Sequence, residues 1–330
     1  LVVGTSMGAI IGGLYATGMR ATDIERELLA VRWDEIFAPR VGRQELSQRR
    51  KEQDFEISAV LELGWKDGEL KTPQAAVSSR GLESLLRRYT LPVRGITRFD
   101  ELPIPFRAVA PDMETGAAVE RSEGDLAIAL RSSMSVPGVF APTEFGHQVL
   151  GDGGLVNNLP VDIARRMGAD IVIAVNVGTP LAGREALGSV VGLTAQMINI
   201  LTEQNVQRSL ASMRERDVLV APPLGALGSG SFDRTADLIR LGSSAAEGTL
   251  GRLAALAVDA PAYAEWTRRH AAPPLQPTRL DFVAFEGTTA TSPQRFAAQL
   301  ESQPGQAFDP RRADRDTRRL AATGDYARAD

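Results

Sequence analysis

The sequence predicts an α/β fold in three layers, with helices covering both faces of a sheet. Three observations carry that expectation. Short apolar runs alternate with stretches of helical periodicity along most of the chain. A strand–turn–helix pattern occupies Leu1–Gly18. Further on, Ile171–Val177 is a run rich in β-branched residues, as a fully buried central strand would be.

The elements follow in order. Leu1–Val3 reads as a strand, Gly4–Gly8 as a turn, and Ala9 onward as a helix stopped at Gly18, where a left-handed residue can end it. A second helix is expected over Ala21–Val31, capped by Thr22 or its neighbour. Arg40–Ser79 is polar and irregular. Within it, Phe55–Ile57, Val60–Trp65 and Glu69–Lys71, with the Asp67-Gly68 turn, suggest a hairpin. Leu82, Leu85 and Leu86 share one face of a helix over Gly81–Tyr89.

Phe106–Ala110 and Ala117–Glu120 read as strands, and Gly124–Ser133 as a helix, after which Pro137, Gly138 and Pro142 break the chain. A strand at Gln148–Leu150 leads into Gly151-Asp152-Gly153-Gly154. Pro160–Met167 is a helix with Pro in its first turn and Gly168 past its end. Helices then alternate with a strand at Val218–Val220 as far as Arg269. The Pro-rich stretch after His270 is a linker, and the tail beyond it carries a strand, Leu280–Phe285, and two helical stretches. The expected division is a domain over 1–270, a linker over 271–278 and a second unit over 279–330.

Composition narrows the function. With 37 Lys and Arg against 41 Asp and Glu, the net charge of -4 argues against a nucleic-acid partner. The 330 residues include no cysteine, which excludes disulfides, thiolate metal sites and a Cys nucleophile. No run reaches the roughly 18 apolar residues of a membrane-spanning helix, and there is no signal peptide. No cluster implies a metal or an organic cofactor. Leu1 falls inside an apolar run without a Met, which reads as a cut with sequence upstream.

Gly4-Thr5-Ser6-Met7-Gly8 is a G-x-S-x-G element with a strand before it and a helix after. The flanking glycines permit a sharp turn that points Ser6 outward as a nucleophile. Free N–H groups at the helix start, with Met7 and Gly8 in the elbow, can receive a developing oxyanion. The chain has two histidines to serve as base. His270 lies beside the linker and His147 near a strand, and neither position suggests a catalytic role. That leaves a carboxylate. Asp152, delivered by an apolar strand and surrounded by glycines, is either the base or an ordinary turn residue. Asp112 reads as a turn residue.

These residues resemble the patatin-like phospholipases. Gly4–Gly8 corresponds to the nucleophile motif of that family, and Asp152-Gly153-Gly154 to its D-G-G/A motif. Phe99–Ala110, Ala129–Ser133, Val136–Pro142, Asn157–Val161 and Gly168–Asp170 continue the likeness, which covers about residues 1–265. The resemblance implies a three-layer patatin-like domain with a Ser–Asp dyad, Ser6 as nucleophile and Asp152 as base. It also implies a phospholipid or other acyl ester as substrate, met at a membrane surface. The family carries a Gly-rich oxyanion loop ahead of the nucleophile strand. Its absence before Leu1 leads us to expect little activity from residues 1–330 alone.

The tail is similar to the start of a POTRA domain, in Val283–Gly287, Gln303-Pro304-Gly305, Phe308-Asp309 and Thr323–Tyr326. That arrangement resembles bacterial lipases that carry their own outer-membrane β-barrel downstream, and it implies export to the cell surface; a cytoplasmic location is the alternative. Two other readings compete with a Ser–Asp hydrolase. One is an α/β-hydrolase esterase using His270, and the other a non-catalytic secretion or binding module with a degenerate hydrolase domain. The apolar side chains Leu61, Leu63 and Trp65 suggest a lipid-facing lip or a half-buried hairpin. The basic clusters Arg49-Arg50-Lys51 and Arg311-Arg312 read as solvated faces.

Overall fold

A computed structural model describes residues 1–37, 64–66, 69–71, 79–178, 181, 183–274, 278–285 and 297–322. Strand β1 (Val2–Thr5) runs into helix α1 (Met7–Ala16), followed by α2 (Ala21–Ala30) and the short α3 (Trp33–Ile36). A hairpin, β2 (Gly64–Lys66) and β3 (Glu69–Lys71), precedes α4 (Arg80–Thr90). Next come β4 (Phe106–Pro111), β5 (Ala118–Arg121), α5 (Leu126–Ser133), the hairpin β6 (Thr143–Phe145) and β7 (Gln148–Leu150), and α6 (Val161–Arg166). The remaining elements are β8 (Ile173–Val175), α7 (Val190–Ala211), β9 (Val218–Val220), α8 (Thr235–Glu247), α9 (Leu250–Ala254), α10 (Ala260–Arg269) and α11 (Pro310–Ala322).

The architecture is the expected α/β arrangement, and strand alternation explains its layers. Successive side chains of a strand point to opposite faces. Val2 packs with Ile10, Leu14, Phe106 and Leu130 in one apolar cluster, which α1, α4 and α5 complete. Its neighbour Val3 packs in a second cluster with Leu159, Val161, Ala174 and Val206, which α6 and α7 complete. The sheet therefore lies between two helical layers. Strand β1 pairs in parallel with β4, which pairs antiparallel with β5. Burial of each large side chain, such as Phe106 or Leu130, stabilises this core by about 1.5–3 kcal/mol.

Helix α1 places two glycines in its interior, each costing about 1 kcal/mol relative to alanine. Close contact with β1 and with α5 explains them. A Cβ at Gly12 would meet the Val2 side chain at 2.8 Å, and one at Gly13 would meet Leu130 at 2.5 Å. The helix thus lies close on β1 and β4, which fixes the position of its first turn. It ends at Gly18, whose φ of 89° is the left-handed conformation that suits glycine.

Several expectations need correction. Ile171–Val177 is not a fully buried central strand. Only Ile173–Val175 is a strand, paired in parallel with β9 alone. Val172 and Ala174 are buried while Ile173, Val175 and Val177 are each more than half exposed, so one face alone is covered. Thr22 does not cap α2: Arg20 occupies that position with no side-chain cap, and its guanidinium bonds Asp23 instead. Leu280–Phe285 forms no strand. The backbone there makes an isolated bridge, Arg279 to Ala307, and leaves Phe282 exposed. The Leu280 N–H donates to the Gln306 carbonyl and its carbonyl accepts the Gly305 N–H, which makes a bridge and not a ladder.

The expected hairpin strands pair antiparallel, Gly64–Lys66 with Glu69–Lys71, whereas Asp67-Gly68, Phe55–Ile57, Leu61, Leu63 and Arg49–Lys51 lie outside the described residues. Thr323–Tyr326 does too. Among the described residues, no helix is long and apolar enough to cross a membrane.

Candidate active site

Strand β1 delivers Ser6 to the C-terminal edge of the sheet, and the turn is shaped by close backbone approach. A Cβ at Gly4 would lie 2.2 Å from the Gly8 carbonyl oxygen, so no other residue fits there without displacing the helix. Gly8 has open space beside it and is exposed, which leaves the approach to Ser6 clear. Ser6 has φ 52°, and it is the only non-glycine residue with positive φ among those described. Such a conformation costs on the order of 1–3 kcal/mol and persists only where neighbours hold it.

Three sets of bonds hold it. The Ser6 N–H donates to Ser133 Oγ at 2.9 Å, and that hydroxyl donates to the Val109 carbonyl at 2.5 Å. The Ser6 carbonyl accepts the N–H groups of Ala9 and Ile10, starting α1. Beside it, Thr5 Oγ1 donates to the Asn157 carbonyl at 2.7 Å. The turn is clamped from α5, from β4 and from the loop after Asp152.

Asp152 arrives from β7, and its N–H donates to the Ser135 carbonyl at 3.0 Å. Gly153, just after it, lies against β4: a Cβ there would meet the Val109 carbonyl oxygen at 2.2 Å. The two carboxylate oxygens are divided. Oδ1 accepts the Gly154 N–H at 2.8 Å, and Oδ2 accepts the Ser6 hydroxyl at 2.8 Å. The side chains of Ser6 and Asp152, 146 residues apart, therefore meet directly.

Electrostatics follow from burial. Asp152 is only 8% exposed. Loss of solvent pushes its carboxyl up to about 6, against the opposing pull of the Ser6 hydroxyl and the Gly154 N–H. A carboxylate of that basicity is a better proton acceptor than one at its ordinary value near 4. The N–H groups of Met7 and Gly8 open α1, ahead of the Ala9 and Ile10 N–H groups that the Ser6 carbonyl takes up, and the helix start lends its partial positive charge beside Ser6.

Neither histidine joins this pair. His147 is exposed in the two-residue turn between β6 and β7. His270 stacks on Trp266, and its Nδ1 lies 2.7 Å from the Trp266 carbonyl oxygen. Asp112 serves a turn, accepting the Glu114 N–H at 3.0 Å. No group of acidic or histidine residues suited to a metal ion occurs among the described residues.

Sequence reasoning missed Ser133 as a partner of the turn, although Ser133 lay inside the resembling segment. It also missed the framework behind Asp152. Arg131 is 2% exposed; its guanidinium lies over the Phe140 ring and donates to Ser135 Oγ at 2.8 Å. Ser135 is the residue whose carbonyl receives the Asp152 N–H. Thr202 and Asn205, from α7, both donate to the Gly154 carbonyl.

The turn, the paired side chains and the glycines that admit them all fall within residues 1–165, and that span matches the family described as patatin-like phospholipase. An uncharacterized NTE family protein of Mycobacterium tuberculosis is 32% identical over 200 residues, 60% of this chain and 46% of that protein. The human patatin-like phospholipase domain-containing protein 6 is 33% identical over 182 residues, 54% of this chain and 11% of that protein. The chain thus spans less than half the length of these relatives. Among solved structures, VipD from Legionella pneumophila covers 74% of this chain and 61% of its own, at 13% identity and a TM-score of 0.30, too low to bear on the argument. With the family match reaching half of the residues and both halves of the site inside it, the chain belongs to the patatin-like phospholipase family.

Proposed function

We propose that this protein is a serine lipid acyl hydrolase that works through an acyl-Ser6 intermediate with Asp152 as its base. The observation that carries the reading is the 2.8 Å bond from Ser6 Oγ to Oδ2 of the buried Asp152, without an imidazole bonded to either group. As Ser6 Oγ attacks the ester carbonyl, its proton passes to Asp152. The tetrahedral oxyanion is received by the N–H of Met7 at the start of α1. Collapse breaks the ester C–O bond, and Asp152 returns the proton to the departing alcohol. Water then attacks the acyl-Ser6 ester, giving its proton to Asp152, and the acid leaves as Ser6 takes the proton back.

The substrate class proposed is the acyl ester of a glycerophospholipid or lysophospholipid, taken from a membrane surface. The support is family membership, together with the relatives named as phospholipase domain-containing proteins. The test uses the full-length gene product and measures fatty acid released from phosphatidylcholine vesicles. The parent is expected to release acid, and Ser6→Ala and Asp152→Asn to lower the rate at least about 10³-fold. Either variant retaining the parent's rate ends the proposal.

The division into a hydrolase domain over 1–270, a linker and a second unit from 279 is part of the same proposal. So is a surface or outer-membrane location for the full-length protein, with a POTRA-like second unit. It is supported by Gly305, whose φ of 86° fits the Gln303-Pro304-Gly305 turn, followed by α11. Fractionation of expressing cells tests it: recovery of the protein wholly in the cytosol removes the export reading and leaves the hydrolase reading untouched.

A further inference from the structure

Asn205 is a buried amide whose two N–H groups and oxygen are all used, mostly on the loop that carries Asp152. It is 3% exposed, in the middle of α7. Its Nδ2 donates to the Gly154 carbonyl at 2.8 Å and to the Leu201 carbonyl at 3.1 Å. Its Oδ1 accepts the Asn158 N–H at 2.8 Å. One turn earlier, Thr202 Oγ1 also donates to the Gly154 carbonyl, at 3.1 Å. Helix α7 therefore grips the loop at two points, Gly154 and Asn158.

Gly154 is also the residue whose N–H donates to Asp152 Oδ1. Its carbonyl is held by Asn205 and Thr202 while its N–H holds the carboxylate. There is no slack at that residue: a Cβ on it would lie 2.9 Å from Asp152 Oδ1 and 3.2 Å from Asn158 Oδ1. We infer that Asn205 is a positioning residue, acting through Gly154 to keep the Asp152 carboxylate turned so that Oδ2 faces Ser6. The inference rests on the Ser6–Asp152 reading above. It extends the site to a helix that lies beyond the residues matched to the family.

A helix that was merely fastened to the core by Asn205 would lose stability when the amide is removed, and the folded fraction would still turn over normally. A positioning role lowers kcat itself, because a misplacement of about 1 Å at a reacting group can cost roughly 100-fold. The experiment uses the full-length gene product, a soluble p-nitrophenyl ester and a fluorophosphonate probe. For Asn205→Leu we expect kcat to fall about 10–100-fold with KM changed by less than about 3-fold, and labelling of Ser6 to slow in proportion. Thr202→Val, which removes the second donor, is expected to lower kcat about 3-fold.

A folded Asn205→Leu protein with kcat within about 2-fold of the parent, or with its loss confined to KM, overturns the inference. If Asn205→Leu does not fold, Thr202→Val decides: an unchanged kcat overturns it, and a fall in kcat at constant KM supports it. Ser6→Ala and Asp152→Asn are run beside them. Activity in those two would sink the dyad itself; their inactivity beside an unaffected Asn205→Leu would sink only this inference.

Discussion

The hydroxyl of Ser133 accepts the backbone N–H of Ser6 at 2.9 Å, tying the end of α5 to the turn that bears Ser6. Its proton goes to the Val109 carbonyl of β4, so one side chain links helix, turn and sheet. Ser6 adopts a left-handed conformation that a non-glycine residue resists, and this link opposes its relaxation. Ser133→Ala leaves two buried backbone groups without their partner, costing about 1–3 kcal/mol of stability. It should also lower kcat by about 10-fold as the turn loosens. Urea unfolding and steady-state kinetics on the same preparation would show both effects.

The rate should depend on pH through Asp152. It must be ionised to accept the proton from Ser6, and burial places its titration at about 6. A plot of kcat/KM against pH should rise through that value and level off above it. Because His147 and His270 are not bonded to the pair, His147→Ala and His270→Ala should leave the acid limb in place. Movement of the limb in either variant would bring an imidazole into the chemistry.

The same shift has a consequence for stability, with a definite sign. The folded protein holds the Asp152 proton up to about 6, whereas the unfolded chain releases it at the ordinary aspartate value of 3.8. Between these values the folded state binds more protons. Stability from this group is therefore greatest in acid and is lost as pH rises through the folded value, by about 3 kcal/mol in all. Asp152→Asn removes the penalty. The variant should unfold at higher urea than the parent at pH 8, and the difference should shrink as pH falls towards 4. An Asn variant less stable than the parent at pH 8 would contradict this.

Glycine is required at Gly4 and Gly153 by space rather than by φ. A Cβ at either would lie 2.2 Å from a backbone carbonyl oxygen, of Gly8 and Val109 respectively. Backbone cannot move aside as a side-chain tip can. Gly4→Ala and Gly153→Ala should each destabilise by about 1–3 kcal/mol or more, and each should separate Ser6 from Asp152. Gly8→Ala is the control: with open space at that Cβ, its melting temperature should match the parent's.

The local signals in the sequence were readable where one element sufficed. The strand, turn and helix around Ser6 follow from glycine spacing and apolar periodicity, and Gln148–Leu150 from an apolar run ended by Gly151. The pairing of Ser6 with Asp152 was not legible from spacing, since Asp152 looked equally like a turn residue; only the family resemblance joined them. Ser133 and Asn205 left no signal that would set them apart from other polar residues on helices. Their partners are 127 and 51 residues away. Ile171–Val177 misled because an apolar run does not report how many of its faces are covered. Leu280–Phe285 misled because strand propensity cannot supply a partner strand.

The central claim is that Ser6 becomes acylated with Asp152, and no histidine, taking its proton. The most direct measurement is the rate at which a fluorophosphonate attaches to the full-length protein, with the modified residue located by mass spectrometry of its peptides. The adduct should sit on Ser6 and form at the parent's rate in His147→Ala and His270→Ala. In Asp152→Asn it should form at least about 10³-fold more slowly. An adduct on another residue, or full labelling of Ser6 in Asp152→Asn with none in His270→Ala, would contradict the claim.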